Sequence, residues 1–403
     1  MACLLQSIRL KNILSFKDAE LPLRPLNVLI GANAAGKSNL IDVIGLLQAA
    51  PGDLNAAILR GGGALAWMRK ADREASRTAA IECEFSLDSD TLSYALEFSA
   101  ADRAFLIEYE LLRRTSQRSS NIGGDIGGYR PLKSVEASRA YFERSAATVK
   151  LRKGHNGGQA VQEAPIASPV SVLSAIRDPR DRTPITRLAA ELARIRIYRS
   201  FDTGPQAQAR TGADTGLPKE FLDDTGYNLA VVLQEMAFDG TIERVNEYLR
   251  RFADQFEAVR VRLDSGVARV GVKEKGIEQP IPAARLSDGT LKFLCLMAVL
   301  LHTNPPPLVC LDEPELGLHP DALQLVAEVL RDAAERSQLI VTTHSEALVD
   351  ALSGKPEAVV VCERDFDNAT TFRRLSLKDL SLWLERYRLG ELWRKGEIGG
   401  NRW

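Results

Sequence analysis

At 403 residues, 45% hydrophobic and 26% charged, the chain has ordinary globular composition and length for about two to three domains. Its 52 Lys and Arg against 53 Asp and Glu give a net charge of −1, which excludes a mechanism resting on a strongly basic whole-molecule field and leaves room only for a local basic patch. The longest apolar stretch, Phe293 to Leu301, falls short of the roughly 20 residues that cross a bilayer, so no integral membrane protein is expected. Gln6, Arg9 and Lys11 interrupt the opening Leu4-Leu5 run before a secretory core can form, and a cytoplasmic location is expected. Cys3, Cys83, Cys295, Cys310 and Cys362 show no Cys-x-x-Cys spacing and read as reduced thiols, with no zinc site or disulfide frame.

Ser7 to Asn12 alternates Ile8 and Leu10 with Arg9 and Lys11, and Leu26 to Ile30 follows a Pro-bounded turn, so two strands are predicted to open the chain. After the loop Gly31 to Gly36, the stretch Lys37 to Gln48 places Leu40, Ile41, Ile44 and Leu47 at helical spacing. The runs Ile81 to Leu87, Leu92 to Phe98 and Ala104 to Leu112 alternate apolar with polar residues and predict an antiparallel meander. Between Thr115 and Pro169, Ser, Gly, Arg and Lys dominate, which reads as loops around short elements. Helical patterns cover Pro184 to Ile195 and Asn228 to Phe252, joined by a connector from Thr203 to Leu217. An α/β rhythm then returns: a strand Leu308 to Leu311, a helix from Pro320 to about Arg336, and strands Gln338 to Thr342 and Ala358 to Cys362.

Gly31-x-x-x-x-Gly36-Lys37-Ser38 fits the P-loop pattern, in which glycines let backbone N–H groups approach phosphate oxygens at a helix start. Gly31, Asn33, Ala34, Ala35, Gly36, Lys37, Ser38 and Asn39 are therefore the candidate ATP-binding residues, with Lys37 on the β- and γ-phosphates and the Ser38 hydroxyl on Mg²⁺. Leu308-Val309-Cys310-Leu311-Asp312-Glu313 delivers two carboxylates at the end of a buried strand and reads as a Walker B element. Asp312 would join Ser38 in holding the metal, and Glu313 would orient or deprotonate the attacking water. His344, in Thr342-Thr343-His344-Ser345, follows another buried strand to the same sheet edge and would donate to the γ-phosphate, whereas His155 and His302 read as structural or surface residues. The candidate catalytic residues are thus Lys37, Glu313 and His344.

Leu286-Ser287-Asp288-Gly289-Thr290, before a buried helix and upstream of the Walker B strand, resembles the ABC signature motif; alone, it reads as a simple N-cap. The set resembles ABC-type ATPases of the SMC/RecF/OLD kind. Ile8 to Asn12 with Ser15-Phe16, the loop Asn33 to Asn39, Asp312-Glu313-Pro314-Glu315-Leu316-Gly317-Leu318-His319-Pro320 and Thr343-His344-Ser345 are similar to the RecF/OLD-type ATPases of bacteria. The resemblance implies an α/β fold, an ABC-like P-loop ATPase head (residues 1–80 and 275–403) with an inserted antiparallel-β plus helical lobe (81–274). It also implies an ATP-dependent, head-to-tail homodimer in which the trans signature Ser287, Asp288 and Gly289 of one subunit closes on the γ-phosphate held by Lys37 and Ser38 of the other. The pattern departs from the familiar one at Asp288 and Thr290, where Gly and Gln are usual, and at His319, where transporters carry an acidic residue. Nor does a Q-loop glutamine stand out, Gln48 lying too close to the P-loop helix.

The implied role is an ATP-hydrolysing switch in DNA repair or anti-phage defence, with DNA or a separate nuclease as partner; the alternative is a nucleotide-controlled scaffold that regulates a bound effector. Arg177, Arg180, Arg182, Arg187, Arg194, Arg196 and Arg199, with Arg139, Arg144, Lys150, Arg152 and Lys153, are candidates for nucleic-acid phosphates. A solvated face is an equally good reading, since Asp178, Asp181 and Glu191 are interleaved. Asp365 and Asp367 are expected in a hairpin turn, and the tail tryptophans Trp383, Trp393 and Trp403 either pack on the head or anchor a partner.

Overall fold

The computed structural model describes residues 4–70, 78–88, 90–101, 104–115, 140–146, 148–152, 161–176 and 183–400. The chain opens with β1 (Leu5–Ile13), β2 (Phe16–Pro22) and the fully buried β3 (Leu26–Ile30). Three strands thus stand where two were predicted. In β2 only Phe16, Ala19 and Leu21 face inward, and Lys17, Asp18 and Glu20 hide the alternation. β1 and β2 form one edge of an antiparallel sheet that continues through β4 (Thr78–Leu87), β5 (Asp90–Ala101), β6 (Ala104–Thr115), β7 (Ala140–Ser145), β8 (Thr148–Arg152) and β9 (Val161–Pro165). Its order is β2-β1-β4-β5-β6-β7-β8-β9.

The second sheet is mostly parallel. It contains β3, β10 (Arg196–Tyr198), and, after β11 (Ala213–Asp214), β12 (Phe256–Asp264), β13 (Val267–Glu274) and β14 (Ile281–Pro282), the strands β15 (Leu308–Asp312), β16 (Gln338–Thr342), β17 (Val359–Arg364) and β18 (Thr370–Arg374). Its order is β10-β15-β16-β3-β17-β18, with β17 and β18 joined as the antiparallel hairpin expected around Asp365 and Asp367. Strands β11 to β14 form a separate small sheet around the β12–β13 hairpin. That hairpin is not legible in the charged sequence Phe256 to Glu274, where Arg260, Arg262 and Asp264 occupy the outward face of β12. The long helical pattern Asn228 to Phe252 is two helices, Leu229–Phe238 and Ile242–Phe252, broken at Asp239-Gly240, where Gly240 has φ +84° and the Asp239 carboxylate accepts from Thr241 N.

Because side chains alternate along a strand, the parallel sheet separates two cores. Val28, Ile30, Val309, Leu311, Leu339, Val341 and Val359 point into one core with the helices Asp288–Leu300 and Ala322–Ala333. Leu29, Leu308, Cys310, Ile340, Val360 and Cys362 point into the other, shared with the helix Lys37–Ala49 and the antiparallel sheet. The P-loop helix therefore lies between two sheets, which fixes its axis against β3. The division after residue 80 and before residue 275 does not follow these sheets: β1 pairs with β4, and β10 pairs with β15. No helix among the described residues is long and apolar enough to cross a membrane.

Arg144, considered above as a nucleic-acid contact, is fully buried instead. Its guanidinium donates to the carbonyls of Ala146 (2.7 Å), Val170 (2.5 Å) and Ile166 (3.2 Å). Beside it the buried Glu110 carboxylate accepts from Tyr94 Oη (3.0 Å), Ser171 Oγ (2.6 Å) and Val172 N (2.8 Å), and burial raises its pKa above the usual carboxylate range. Such a network holds together only when every member is satisfied. Arg144→Ala is expected to destabilise the chain by about 3 kcal/mol, because it removes three hydrogen bonds to backbone carbonyls and the positive charge beside the buried Glu110 carboxylate. Chemical denaturation compared with an exposed Lys150→Ala control checks this, and a midpoint unchanged from wild type would refute it.

Candidate active site

The carboxyl ends of β3, β15 and β16 meet in register, with Asp312 opposite Thr342 and Thr342 opposite Leu29. The loop after β3 cannot carry side chains at two points. A Cβ on Gly31 would stand 2.4 Å from the Cys362 carbonyl oxygen, and one on Gly36 would stand 2.2 Å from Thr370 Oγ1. Gly36 also has φ +102°, a left-handed geometry open to glycine. Lys37 is buried and folds back on the loop, its Nζ donating to Gly31 O (2.9 Å) and Ala32 O (3.1 Å). Burial pushes its ammonium below the usual lysine range, an effect opposed by Cys362, Glu313, Asp312 and Glu315. Asn33, Ala34 and Ser38 remain at the surface.

Residues outside the motif brace this loop. Arg364 on β17 donates from Nε (2.9 Å) and Nη2 (2.7 Å) to Ala34 O, and Thr370 Oγ1 on β18 donates to Ala35 O (2.8 Å) and is hydrogen-bonded to Ser15 Oγ (2.7 Å). Asn39 Nδ2 donates to the same Ser15 hydroxyl (2.8 Å). Gly400 N, in the tail, donates to Glu363 Oε1 (2.9 Å), and a Cβ on Gly400 would lie 3.3 Å from Gly31 Cα. Arg364 and Thr370 sit far from the P-loop in sequence, and no local pattern marks them.

On β15, Asp312 Oδ1 accepts from the Thr342 hydroxyl and lies 3.4 Å from Ser38 Oγ, while Oδ2 lies 3.6 Å from Arg199 Nη1. Arg199 Nη2 is 2.5 Å from Asp42 Oδ1. Glu313 has φ +51°, a left-handed conformation unusual for a residue with a side chain, and its N–H, shared between Thr342 O and Thr342 Oγ1 (3.1 Å each), holds it there. His344 Nε2 lies 3.4 Å from Glu313 Oε1. Burial and then the Lys37 charge lower the His344 pKa, with Glu313, Glu315 and Asp312 opposing, so the surroundings favour the neutral ring. Glu315 Oε1 accepts from Thr343 Oγ1 (2.7 Å) and His344 N (2.8 Å), tying the turn after β15 to the loop after β16. Thr342 and Glu315 belong to the motifs quoted above, but their bonding roles are set by strand register, which the sequence does not display.

The remaining candidates lie apart from this cluster. Ser287 caps the helix Asp288–Leu300, its Oγ accepting from Thr290 N (3.1 Å). Asp288 pairs with Arg210, which also donates to the carbonyls of Thr203 (2.7 Å) and Leu286 (2.7 Å). Gly289 packs on Gly317, whose carbonyl oxygen would be 3.0 Å from a Cβ. Among the described residues no hydrogen bond or ion pair joins Ser287 or Asp288 to Lys37, Ser38 or Asp312. Gln48 donates to Ile195 O (2.7 Å), away from the site. Of the basic residues proposed for phosphate contact, Arg187 pairs with Asp88, and Arg194 and Arg196 lie over the Phe221 ring, Arg196 at 4.5 Å from its centroid. Arg139, Lys153, Arg177, Arg180 and Arg182 lie outside the described residues, as do His155 and Trp403. Trp393 is buried on the head, whereas Trp383 is exposed.

The donor set fits a nucleoside triphosphate with Mg²⁺: a glycine cradle that a Cβ would fill, a buried lysine aimed at its rim, and one hydroxyl with one carboxylate for a cation that keeps phosphate and water ligands. Fold and site together define an ABC-type, SMC-like P-loop ATPase head. The family described as "AAA domain, putative AbiEii toxin, Type IV TA system" matches residues 26–153 and 165–350, and the chain belongs to it. The crystal structure of the SmcHead bound to the C-winged helix domain of ScpA matches with a TM-score of 0.57 at 14% identity, over 93% of this chain and 99% of that one. The Smc head domain with an extended coiled coil bound to the C-terminal domain of ScpA, derived from Pyrococcus furiosus, matches with a TM-score of 0.56 at 14% identity, over 95% and 98%. At such identity the likeness is one of fold, in agreement with the ABC-like α/β head expected from the motifs. No curated protein sequence matches the chain.

Glu315→Ala removes the acceptor shared by Thr343 and His344 and is expected to lower stability by about 1–3 kcal/mol and to speed amide exchange at residues 343–346. Glu315→Gln keeps an acceptor oxygen and should restore most of the protection. Exchange mass spectrometry on both variants decides the matter, and unchanged protection in Glu315→Ala would remove the tie.

Proposed function

We propose that the chain hydrolyses ATP with Mg²⁺ at this site and acts in the cytoplasm as an ATP-dependent dimer switch. The observation carrying this reading is the convergence of Lys37, Ser38, Asp312, Glu313 and His344 on one sheet edge. Lys37 would exchange its loop carbonyls for β- and γ-phosphate oxygens, and Ser38 and Asp312 would hold Mg²⁺, which would supply positive charge against the triphosphate. Glu313 accepts a proton from water as the water oxygen bonds to the γ-phosphorus and the bond to the β–γ bridging oxygen breaks, releasing ADP and phosphate. His344, neutral, donates from Nε2 to the γ-phosphoryl group.

Ser287, Asp288 and Gly289, whose partners within one chain are Thr290, Arg210 and Gly317 and not Lys37, complete the site of a second copy. A capped helix start with an adjacent glycine is a second anion-binding face, so the triphosphate joins two subunits. The role that follows is control of a grip on DNA, or of a separate nuclease, in repair or anti-phage defence. A second reading, regulation of a bound effector without DNA, is favoured by the helix Leu377–Leu384, which exposes Leu377, Leu382 and Trp383. ScpA domains bind the Smc heads of the matched structures, and an accessory protein on this head is the corresponding proposal.

Glu313→Gln is expected to cut ATP turnover by about a hundredfold or more while accumulating an ATP-bound dimer. Sedimentation with ATP and Mg²⁺ reads the dimer, and monomer alone would sink the shared site. Turnover stimulated by DNA supports the DNA role; turnover indifferent to DNA, with an effector switched by nucleotide, supports the second reading.

A further inference from the structure

Arg199 stands just beyond β10, the edge strand beside β15, and none of the motifs gives it a task. Its guanidinium is shared unequally between two carboxylates, with Nη2 at 2.5 Å from Asp42 Oδ1 and Nη1 at 3.6 Å from Asp312 Oδ2. Asp312 is thereby divided. Oδ1 faces the hydroxyls of Ser38 and Thr342, and Oδ2 faces the arginine. Asp42 lies one turn after Ser38 on the same helix, so the residue that draws Arg199 away from Asp312 is fixed to the element that carries the candidate metal hydroxyl.

We propose that Arg199 is a charge gate for the divalent cation, competing for Asp312 when no nucleotide is bound, and that Asp42 sets the strength of the competition. This rests on the Mg²⁺-ATP reading of the site. A guanidinium keeps its charge at any physiological pH, so it withdraws only by moving. Space for that movement exists: a cleft of about 690 Å³ borders the side chain, lined also by Arg196, Ser200, Asp224 and Tyr227. With Arg199 against Asp312, one hydroxyl and a half-neutralised carboxylate hold a divalent ion poorly, because like charges at such range repel. The triphosphate brings enough negative charge to accept both cations. Metal entry is thus coupled to nucleotide entry, and the empty site binds metal only weakly on its own. A glutamine at this position would offer an oxygen ligand and no competing charge, so the arginine changes the order of loading as well as the ligand set.

The test is Mn²⁺ binding read by electron paramagnetic resonance, on the full chain, without nucleotide and with a non-hydrolysable ATP analogue. Without nucleotide, Arg199→Ala, which removes the charge and adds no ligand, is expected to bind Mn²⁺ about tenfold more tightly than wild type. Asp42→Asn, which frees the guanidinium for Asp312, is expected to bind it more weakly. In the Arg199→Ala background, Asp42→Asn should add little, the signature of coupling in a double-mutant cycle. Equal or weaker affinity in Arg199→Ala overturns the gate, as does an Asp42→Asn effect of equal size in both backgrounds. Asp42→Asn lies on a different element and reads the opposite sign, so a folding defect in one variant leaves the other arm decisive. Failure of wild type to take up Mn²⁺ with the ATP analogue would instead sink the nucleotide-site reading itself.

Discussion

The pairing of β15 with β16 is the constraint on which the site depends. Asp312 and Thr342 are opposite one another in a parallel ladder, and the Thr342 hydroxyl donates to Asp312 while also lying within reach of Glu313 N. One threonine thus orients the Asp312 carboxylate and helps hold Glu313 at a backbone angle that a residue with a side chain rarely adopts. A slip of one residue in this register would turn Asp312 into a core and bring Cys310 or Leu311 to the wrong face. The apolar alternation of β15 and β16, buried on both faces, resists that slip, because Leu308, Cys310 and Ile340 fill one core and Val309, Leu311, Leu339 and Val341 the other. Core packing and catalytic geometry are therefore the same interaction seen from two sides of the sheet.

Residues far apart in sequence meet at the phosphate loop. Ser15, between the first two strands, accepts from Asn39 on the P-loop helix and is hydrogen-bonded to Thr370 on the last strand. Arg364 and Glu363 on β17 hold, respectively, the loop carbonyl of Ala34 and the tail amide of Gly400. The antiparallel hairpin β17–β18 acts as a brace across the edge of an otherwise parallel sheet, and its turn, Asp365 to Ala369, closes through Asp365 N to Ala369 O. A loop held by Ser15, Arg364 and Thr370 forms only after long-range contacts are in place, which ties the site to completion of the fold.

The motifs announced the head because phosphate chemistry demands particular residues at short spacing: Gly36, Lys37 and Ser38 in one turn, Asp312 and Glu313 at one strand end. The meander β4 to β6 was legible from period-two alternation, and the turn at Asp365 from its residues. What escaped was set by distance in sequence. Arg199, Arg364 and Thr370 reach the site only through strand order, and a single arginine in a basic stretch carries no sign that its partners are Asp42 and Asp312. Arg144 misled for the same reason, since a buried guanidinium bonded to three backbone carbonyls looks in sequence like one that faces solvent. Strand β2 and the β12–β13 hairpin were hidden by charges on their outer faces, and the helical pattern Asn228 to Phe252 concealed a break because Asp239-Gly240 interrupts it without disturbing the apolar spacing.

The loop's carbonyls explain how such a site can await an anion. Gly31 O and Ala32 O accept from Lys37, Ala34 O from Arg364, and Ala35 O from Thr370. With these oxygens held by its own donors, two of them cations, the loop turns little negative potential toward an incoming phosphate. The folded-back lysine is also buried, which disfavours its charge, so transfer from two neutral carbonyls to ionised phosphate oxygens gives it a stronger partner. On the proposed reading, binding would release the Gly31 and Ala32 carbonyls, whereas the Ala34 and Ala35 carbonyls are held by Arg364 and Thr370 from another part of the fold. The first half of the loop is packed against the Cys362 carbonyl and the tail at Gly400.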